Sequence, residues 1–382
     1  MTSIKIRNSA PVTVIGGVTR FDNVVTISEM RDDPDVSETR RGRPTMNDVA
    51  AAAGVALKTV SRVVNNEPGV NASTAERVHA AIERLGYRRN DGARTLRRGR
   101  TASIGLVIED VADPFYSGLS RAVEDIALDE GCLVFTGSSG EDPARERELV
   151  LAFCARRVDG LIIVPAGTDH DYLTPEVEAG IAVAFADRPP GAGPDADTVV
   201  CDNAGGARTG TEHLLAHGHR RIAFLADAPS IFTATERLRG YREALAAAGL
   251  PYDEGLVAMG RPDQARILAD LRRLLRLADP PTALFTGNGQ ITVATLRALA
   301  ETAGPAPTGR APSAGTVAIV GFDDFEPADL LGITVIAQDP VGMGRAVAEL
   351  LFRRLSGESG PPQRLELPTR LVVRGSGERP PA

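Results

Sequence analysis

From residue 102 onward the chain alternates short apolar runs with amphipathic stretches, and this alternation limits its possible folds more than any other feature. Residues 104–108 form an apolar run followed by a helical pattern near 116–130. Residues 132–136 are followed by one near 145–155, and residues 161–164 and 183–186 add two more runs. The series continues with 199–201, a helix near 209–217, 222–225, and a helix near 236–248. It closes with runs at 283–285, 317–320 and 335–336 and a helix near 341–355. Short apolar runs separated by helices read as buried strands of parallel sheets whose two faces the helices cover. One sheet holding every run would be unusually wide, so two α/β lobes with a cleft between them are expected. Gly/Pro-rich 189–194 and 304–314 read as surface loops, and no repeat of fixed period is present.

The segment before this body is of another kind. The chain carries a net charge of −7, yet residues 41–100 carry +7, residues 1–40 carry −1 and residues 101–382 carry −13. A basic segment on an acidic body suggests a polyanion-binding module joined to a domain of different purpose. Within it, Thr45 can cap a first helix with Asp48 as its capping-box partner, Val49, Ala50 and Ala53 form an apolar face, and Gly54 stops the helix. A second helix is expected over 57–64 with Val60, Val63 and Val64 inward, and a third over 73–85 with Val78, Ala81, Ile82 and Leu85 inward. Two short helices around Gly54-Val55 describe a helix-turn-helix, whose second helix enters the major groove. Its leading side chains are Leu57, Lys58 and Arg62. Lysine and arginine donate to guanine O6 and N7, and leucine suits a thymine methyl. Thr59, Ser61 and Asn65 suit phosphate contacts, which fix register. Charge and pattern alone also allow a three-helix bundle that binds protein. Residues 1–40 lack a sustained period and read as a poorly ordered extension.

Pro44-Thr45-Met46-Asn47-Asp48-Val49-Ala50, Gly54-Val55 and Thr59-Val60-Ser61-Arg62-Val63-Val64-Asn65 resemble the head-piece of the lactose/galactose repressor (LacI-type) family of transcription regulators. The likeness runs on through Arg77-Val78, Ala81-Ile82, Leu85-Gly86-Tyr87 and Asn90. It implies that Leu57, Lys58 and Arg62 read an operator, and that residues 91–98 fold into a hinge helix on the correct DNA. Leu96, with Ala93 beside it, matches the family's hinge leucine, a minor-groove wedge that unstacks a base step and kinks the duplex. Ala56 stands where the family usually has a capping serine or threonine, a loss of about 1 kcal/mol. Gly92 costs the hinge helix a further ~1 kcal/mol.

The body resembles the same family over nearly its whole length, at Ile104-Gly105-Leu106-Val107, Asp113-Pro114-Phe115-Tyr116, Asp159-Gly160-Leu161-Ile162 and Asp187-Arg188-Pro189. Further matches are Gly218-His219-Arg220-Arg221-Ile222, residues 236–241, Gly321-Phe322-Asp323-Asp324 and Gln338-Asp339. The implied fold is an N-terminal all-α helix-turn-helix head-piece joined by a hinge helix to an α/β periplasmic-binding-protein-like (type I) two-lobe domain. The expected divisions are an extension (1–40), the DNA-binding domain (41–89), the hinge (90–101), the effector-binding and dimerisation body (102–374) and a tail (375–382). Lobe 1 takes about 102–201 plus 340–367, and lobe 2 about 202–336. Ligands of open α/β sheets sit beyond the carboxyl ends of strands. Carried over position by position, Phe115 and Tyr116 stack on a ring face, while Asp187, Arg188, Arg237, Asn288, Asp323 and Gln338 pair with hydroxyls, two oxygens at a time. For Asp187 and Arg188 a plain salt bridge or helix cap remains an alternative. Gly289 replaces an aspartate and Asp113 an asparagine of the family pattern.

Other chemistries find little support. His213, His217 and His219 fall where a helix ends and a strand begins, without carboxylate or cysteine companions, so no metal is expected. Neither a phosphate loop nor a nucleophilic Ser/His/Asp grouping occurs, so neither catalysis nor a cofactor is expected. Cys132, Cys154 and Cys201 read as buried thiols of an intracellular protein. The start lacks a secretory signal and no apolar run spans a membrane. The expected protein is therefore a cytoplasmic homodimer that binds double-stranded DNA at a pseudo-palindromic operator, acts there as a repressor by the family's habit alone, and senses a carbohydrate-like effector. The rival readings are a periplasmic-type solute receptor, a nucleoside- or purine-responsive regulator and a sugar-modifying enzyme.

Overall fold

The computed structural model describes residues 44–65, 67–87, 100–303 and 317–381. The extension 1–40, the hinge positions Ala93 and Leu96 and the loop 304–314 lie outside the described residues. The chain divides into two compact units, Met1–Arg89 and Asn90–Ala382.

In the first unit α1 (Met46–Ala53) begins at a complete capping box. Thr45 N donates to Asp48 Oδ2 at 2.7 Å, and Asp48 N to Thr45 Oγ1 at 3.3 Å. Gly54, at φ +62°, ends the helix in the left-handed region that favours glycine. α2 (Leu57–Val64) starts at Ala56, which has no capping side chain, and α3 (Ala72–Leu85) starts at Asn71, which accepts from Thr74 N at 2.9 Å. Val49, Val60, Val63, Val78 and Ala81 are the buried core. Arg77 of α3 donates to Ala53 O at 2.6 Å and Gly54 O at 3.2 Å, taking carbonyls that the end of α1 leaves unpaired and fixing the turn.

In the second unit β1 (Ser103–Ile108), α4 (Pro114–Asp129), β2 (Leu133–Ser138), α5 (Pro143–Ala155), β3 (Gly160–Ile163), α6 (Thr174–Glu178), β4 (Ala182–Ala186) and β5 (Asp197–Cys201) come first. Next are α7 (Asn203–Ala216), β6 (Ile222–Ala226), α8 (Phe232–Ala247), β7 (Val257–Met259), α9 (Gln264–Leu275), β8 (Ala283–Thr286), α10 (Gly289–Ala303), β9 (Ala318–Phe322) and β10 (Thr334–Ala337). The last are α11 (Pro340–Leu355), β11 (Arg364–Leu367) and β12 (Arg370–Val372). Two six-stranded sheets result, ordered β11-β5-β4-β3-β1-β2 and β12-β10-β9-β8-β6-β7. All pairings are parallel except that of β12 with β10. The second lobe thus repeats the topology of the first.

The chain passes between lobes three times: from β5 into α7, from β10 into α11, and from β11 into β12. α7 packs on α8, and α11 on α4. Glycine permits both approaches, because a Cβ at Gly240 would stand 2.0 Å from Ala204 O and one at Gly344 would stand 2.3 Å from Leu119 O. Tyr241 follows as a core residue, fully buried with its hydroxyl donating to Ile222 O at 2.8 Å.

Residues 375–379, assigned from sequence to a tail, are part of lobe 2. Ser376 Oγ donates to Ile319 O at 2.6 Å and accepts from Thr334 N at 2.8 Å. Glu378 accepts from Thr334 Oγ1 at 2.9 Å and pairs with His213. Hydrogen bonds rather than apolar packing hold this segment, so no hydrophobic pattern announces it. His219 is fully buried between Thr282 Oγ1 and Arg379 O, each 2.8 Å away, and burial pulls its imidazole below the ordinary range. The three cysteines are buried free thiols. No helix among the described residues is long and apolar enough to cross a membrane.

Candidate functional site

On α2 the buried Val60 and Val63 fix which side faces the core. Positions 57, 58, 61 and 62, three or four residues apart, therefore share the other face. Leu57 is 46% exposed, and Lys58 is exposed beside it. Arg62, Ser61 and Thr59 are half-buried, and Asn65 at the helix end donates to Ser61 Oγ at 3.3 Å. The structure thus brings the six helix candidates onto one short element.

The cleft candidates gather in two groups, one per lobe. Asp187 follows β4 and Asp323 follows β9, the same place in the repeated topology. Each leaves its sheet in the left-handed region, at φ +65° and +70°. Each also donates its amide to the neighbouring strand, Asp187 to Val199 O at 2.8 Å and Asp323 to Ile336 O at 2.9 Å. Such a conformation costs a non-glycine residue about 1–3 kcal/mol, and it turns both carboxyls out beyond the strand ends.

In lobe 1, Arg188 is 5% exposed and bonds Glu141 through both Nη atoms, at 2.8 and 2.6 Å. It also donates to Pro165 O at 3.1 Å, the Tyr116 hydroxyl at 3.2 Å and Glu109 at 3.4 Å. Tyr116 is buried, and its hydroxyl donates to Asp187 at 3.2 Å. The expectation of a stacking face at Tyr116 is therefore corrected: its ring is walled in and its hydroxyl braces Asp187 and Arg188. Phe115, edge-on to it with centroids 5.1 Å apart, stays partly exposed. Burial, followed by the neighbouring Glu141, pushes the Glu109 carboxyl up to about 9, so it holds a proton at neutral pH and can donate.

In lobe 2, Arg237 donates to Asn203 Oδ1 at 2.8 Å and Gly287 O at 2.6 Å, and its guanidinium lies 3.8 Å from the Phe322 ring centre. Asn288 donates to Asp227 at 2.6 Å and caps α10 by accepting from Ile291 N at 2.8 Å. Gln338 Nε2 donates to Asp323 at 2.5 Å, while its Oε1 is buried with no hydrogen-bond partner among the described residues. Burial raises Asp323, and raises Asp227 to about 6.

The groups face each other. Gln290 of lobe 2 donates to Asp113 of lobe 1 at 2.7 Å. Glu141 of lobe 1 disfavours charge on Asp227, and Asp113 and Asp187 disfavour it on Asp323. A cavity of about 120 Å³ lies between residues 165–168, Arg188, Pro189 and Gly191 of lobe 1 and residues 230–232 of lobe 2. Sequence reasoning missed Glu109, Glu141, Asn203, Asp227 and Gln290. Glu109 and Asp227 each directly follow a strand, a signal that could have found them.

Comparison with known proteins agrees with both units. The family described as bacterial regulatory proteins, lacI family, matches residues 45–90, and the periplasmic binding protein-like domain matches residues 211–377. The HTH-type transcriptional regulator CelR of Thermobifida fusca is 38% identical over 346 residues, covering 88% of this chain and 99% of that one. The chain belongs to the lacI family of bacterial regulatory proteins. It is a DNA-binding transcriptional regulator with a helix-turn-helix head and a two-lobe type I periplasmic-binding-protein-like body. Another member of the lacI family, the maltose regulon regulatory protein MalI of Escherichia coli, is 33% identical, covering 86% of this chain and 97% of its own. Among solved structures, a CelR–cellobiose complex matches with a TM-score of 0.63 at 35% identity, over 87% of this chain and all of that one. The Lac repressor dimer bound to operator and the anti-inducer ONPF matches with a TM-score of 0.74 at 28% identity, over 88% of this chain and 99% of that one.

Proposed function

We propose that this regulator is a cytoplasmic, homodimeric repressor whose grip on a pseudo-palindromic operator is set by a small sugar-like effector held between its lobes. The observation that carries the reading is the pairing of Asp187 and Asp323 at equivalent strand ends, with Arg237, Asn288 and Gln338 beside the second. Planar carboxylates and guanidinium groups bind two oxygens at once, as vicinal diols require. The cellobiose in the CelR complex and the operator in the Lac repressor complex support this reading. Leu57, Lys58 and Arg62 read base edges, and Thr59, Ser61 and Asn65 hold phosphates. Ala93 and Leu96 belong to the hinge, with Leu96 as the minor-groove wedge. Effector binding changes the angle between lobes, and so whether two hinges can order on DNA, which is linkage between two ligands. The relatives are regulators, and no turnover of the effector is expected.

The test is a thermal-shift screen of the full chain against mono- and disaccharides, sugar phosphates, nucleosides and purines, with Arg237→Ala as control. A sugar that raises the melting temperature only when Arg237 is present supports the reading. A nucleoside or purine doing so replaces the effector class, and a blank screen of folded protein removes the sensor. For the DNA half, Leu96→Ala is expected to lose specific operator affinity while keeping most salt-sensitive non-specific binding, read by anisotropy titration.

A further inference from the structure

We infer that the cleft selects its effector by charge, accepting a neutral, hydroxyl-rich sugar and rejecting the phosphate ester of the same sugar. This rests on the effector reading above and narrows it to one chemical class.

Both cleft guanidiniums are already engaged. Arg188 gives its Nη atoms to Glu141, Glu109, Tyr116 and Pro165 O, while its Nε, 3.3 Å from the Asp187 carboxylate, makes no hydrogen bond among the described residues. Arg237 gives its Nε to Asn203 and its Nη1 to Gly287 O, with its face against Phe322. Arg188 is thus spent on carboxylates, whereas the groups that hold Arg237 are neutral. Against these two stand five carboxylates, Asp113, Glu141, Asp187, Asp227 and Asp323, contributed by both lobes, with the protonated Glu109 beside them. A dianionic phosphate entering here would meet a surplus of its own sign.

The hydrogen-bonding capacity points the same way. Gln338 Oε1 is a buried acceptor without a donor among the described residues, and ionised carboxylates only accept. A sugar hydroxyl brings a donor to such atoms, whereas a phosphate dianion brings only further acceptors. Helix N-termini offer little compensation. Asp113 caps α4, Asp202 caps α7, Asn288 caps α10 and Asp339 caps α11. The start of α8, at Ile231, has no side-chain cap and lines the cavity. Its dipole amounts to roughly half a unit of charge, short of the carboxyl surplus, and its amides suit a neutral hydroxyl oxygen.

The experiment is isothermal titration of the full chain with matched pairs: cellobiose and its 6-phosphate, trehalose and its 6-phosphate, glucose and its 6-phosphate. In every pair that binds, the neutral sugar is expected to bind about 100-fold tighter or more. A phosphate ester that binds as tightly as its parent, or tighter, overturns the charge selection while leaving the sugar reading intact. Binding by no member of any pair overturns both. Glu141→Gln and Asp227→Asn should each narrow the neutral-to-phosphate affinity ratio about tenfold, and a ratio unchanged in both variants also overturns the inference.

Discussion

Gln290 of lobe 2 reaches across the cleft and donates its Nε2 to the Asp113 carboxylate of lobe 1 at 2.7 Å. Asp113 also caps α4, so Gln290→Ala is the cleaner way to remove the bridge. A net contribution of about 1 kcal/mol for such a bond predicts a loss of about fivefold in affinity for a ligand that needs the lobes closed. Titration calorimetry reads that loss, and small-angle scattering reads the accompanying increase in radius of gyration. Unchanged values in both would show that closure does not depend on this bridge.

Stability should fall as pH rises from near 4.5 to about 9, in part through Glu109. Folding raises its carboxyl from an ordinary 4.5 to about 9, so across that window the folded state keeps a proton that the unfolded chain releases. The melting temperature of the wild type should therefore decline from pH 6 to pH 9, and Glu109→Gln should flatten the decline. Asp227, raised from 3.8 to about 6, acts in the same sense at lower pH, and Asp227→Asn should flatten the profile there.

α2 begins at Ala56 without a capping side chain, although Asn71 and Thr45 cap its two neighbours. Ala56→Ser is expected to stabilise the head by about 0.5–1 kcal/mol. Hydrogen exchange in the full chain should show slower exchange at the first turn of α2. No change in protection would mean that the serine does not form the cap.

Gly240→Ala would drive a methyl into Ala204 O, a backbone atom that cannot rotate away. Forced separation of α7 and α8 should cost about 1–3 kcal/mol, lowering the melting temperature by about 2–4 °C per kcal/mol. A melting temperature equal to wild type would mean that the helices part without loss.

The head was readable because its signals are local: Thr45 with Asp48, Gly54, and the valines at 49, 60, 63 and 78 lie within one or two turns of the features they set. The two-lobe architecture followed from strand–helix alternation for a similar reason. α9 went unread although Ile267, Leu271 and Leu274 carry helical spacing, and β11, reading Arg-Leu-Glu-Leu, shows the two-residue alternation of a strand. The resemblance named Asp187, Arg188, Arg237, Asn288, Asp323 and Gln338, and the structure gathers them at the strand ends. What sequence did not convey is how they are spent. Glu141 lies 47 residues from the arginine it binds, and Gln290 lies 177 residues from Asp113. No local pattern records such pairings, and only the closed topology of the lobes brings them together.

Neither lobe is a continuous stretch of chain. β11 completes the first sheet, β12 completes the second, and Ser376 then ties β9 to the strand beside it. A nascent chain therefore cannot finish either half early and set it aside while the other is made. Both sheets stay open at an edge until the final segment has emerged from the ribosome, and the two halves must then mature nearly together. The three crossings that join the lobes also make the body, during synthesis, a single late-closing unit.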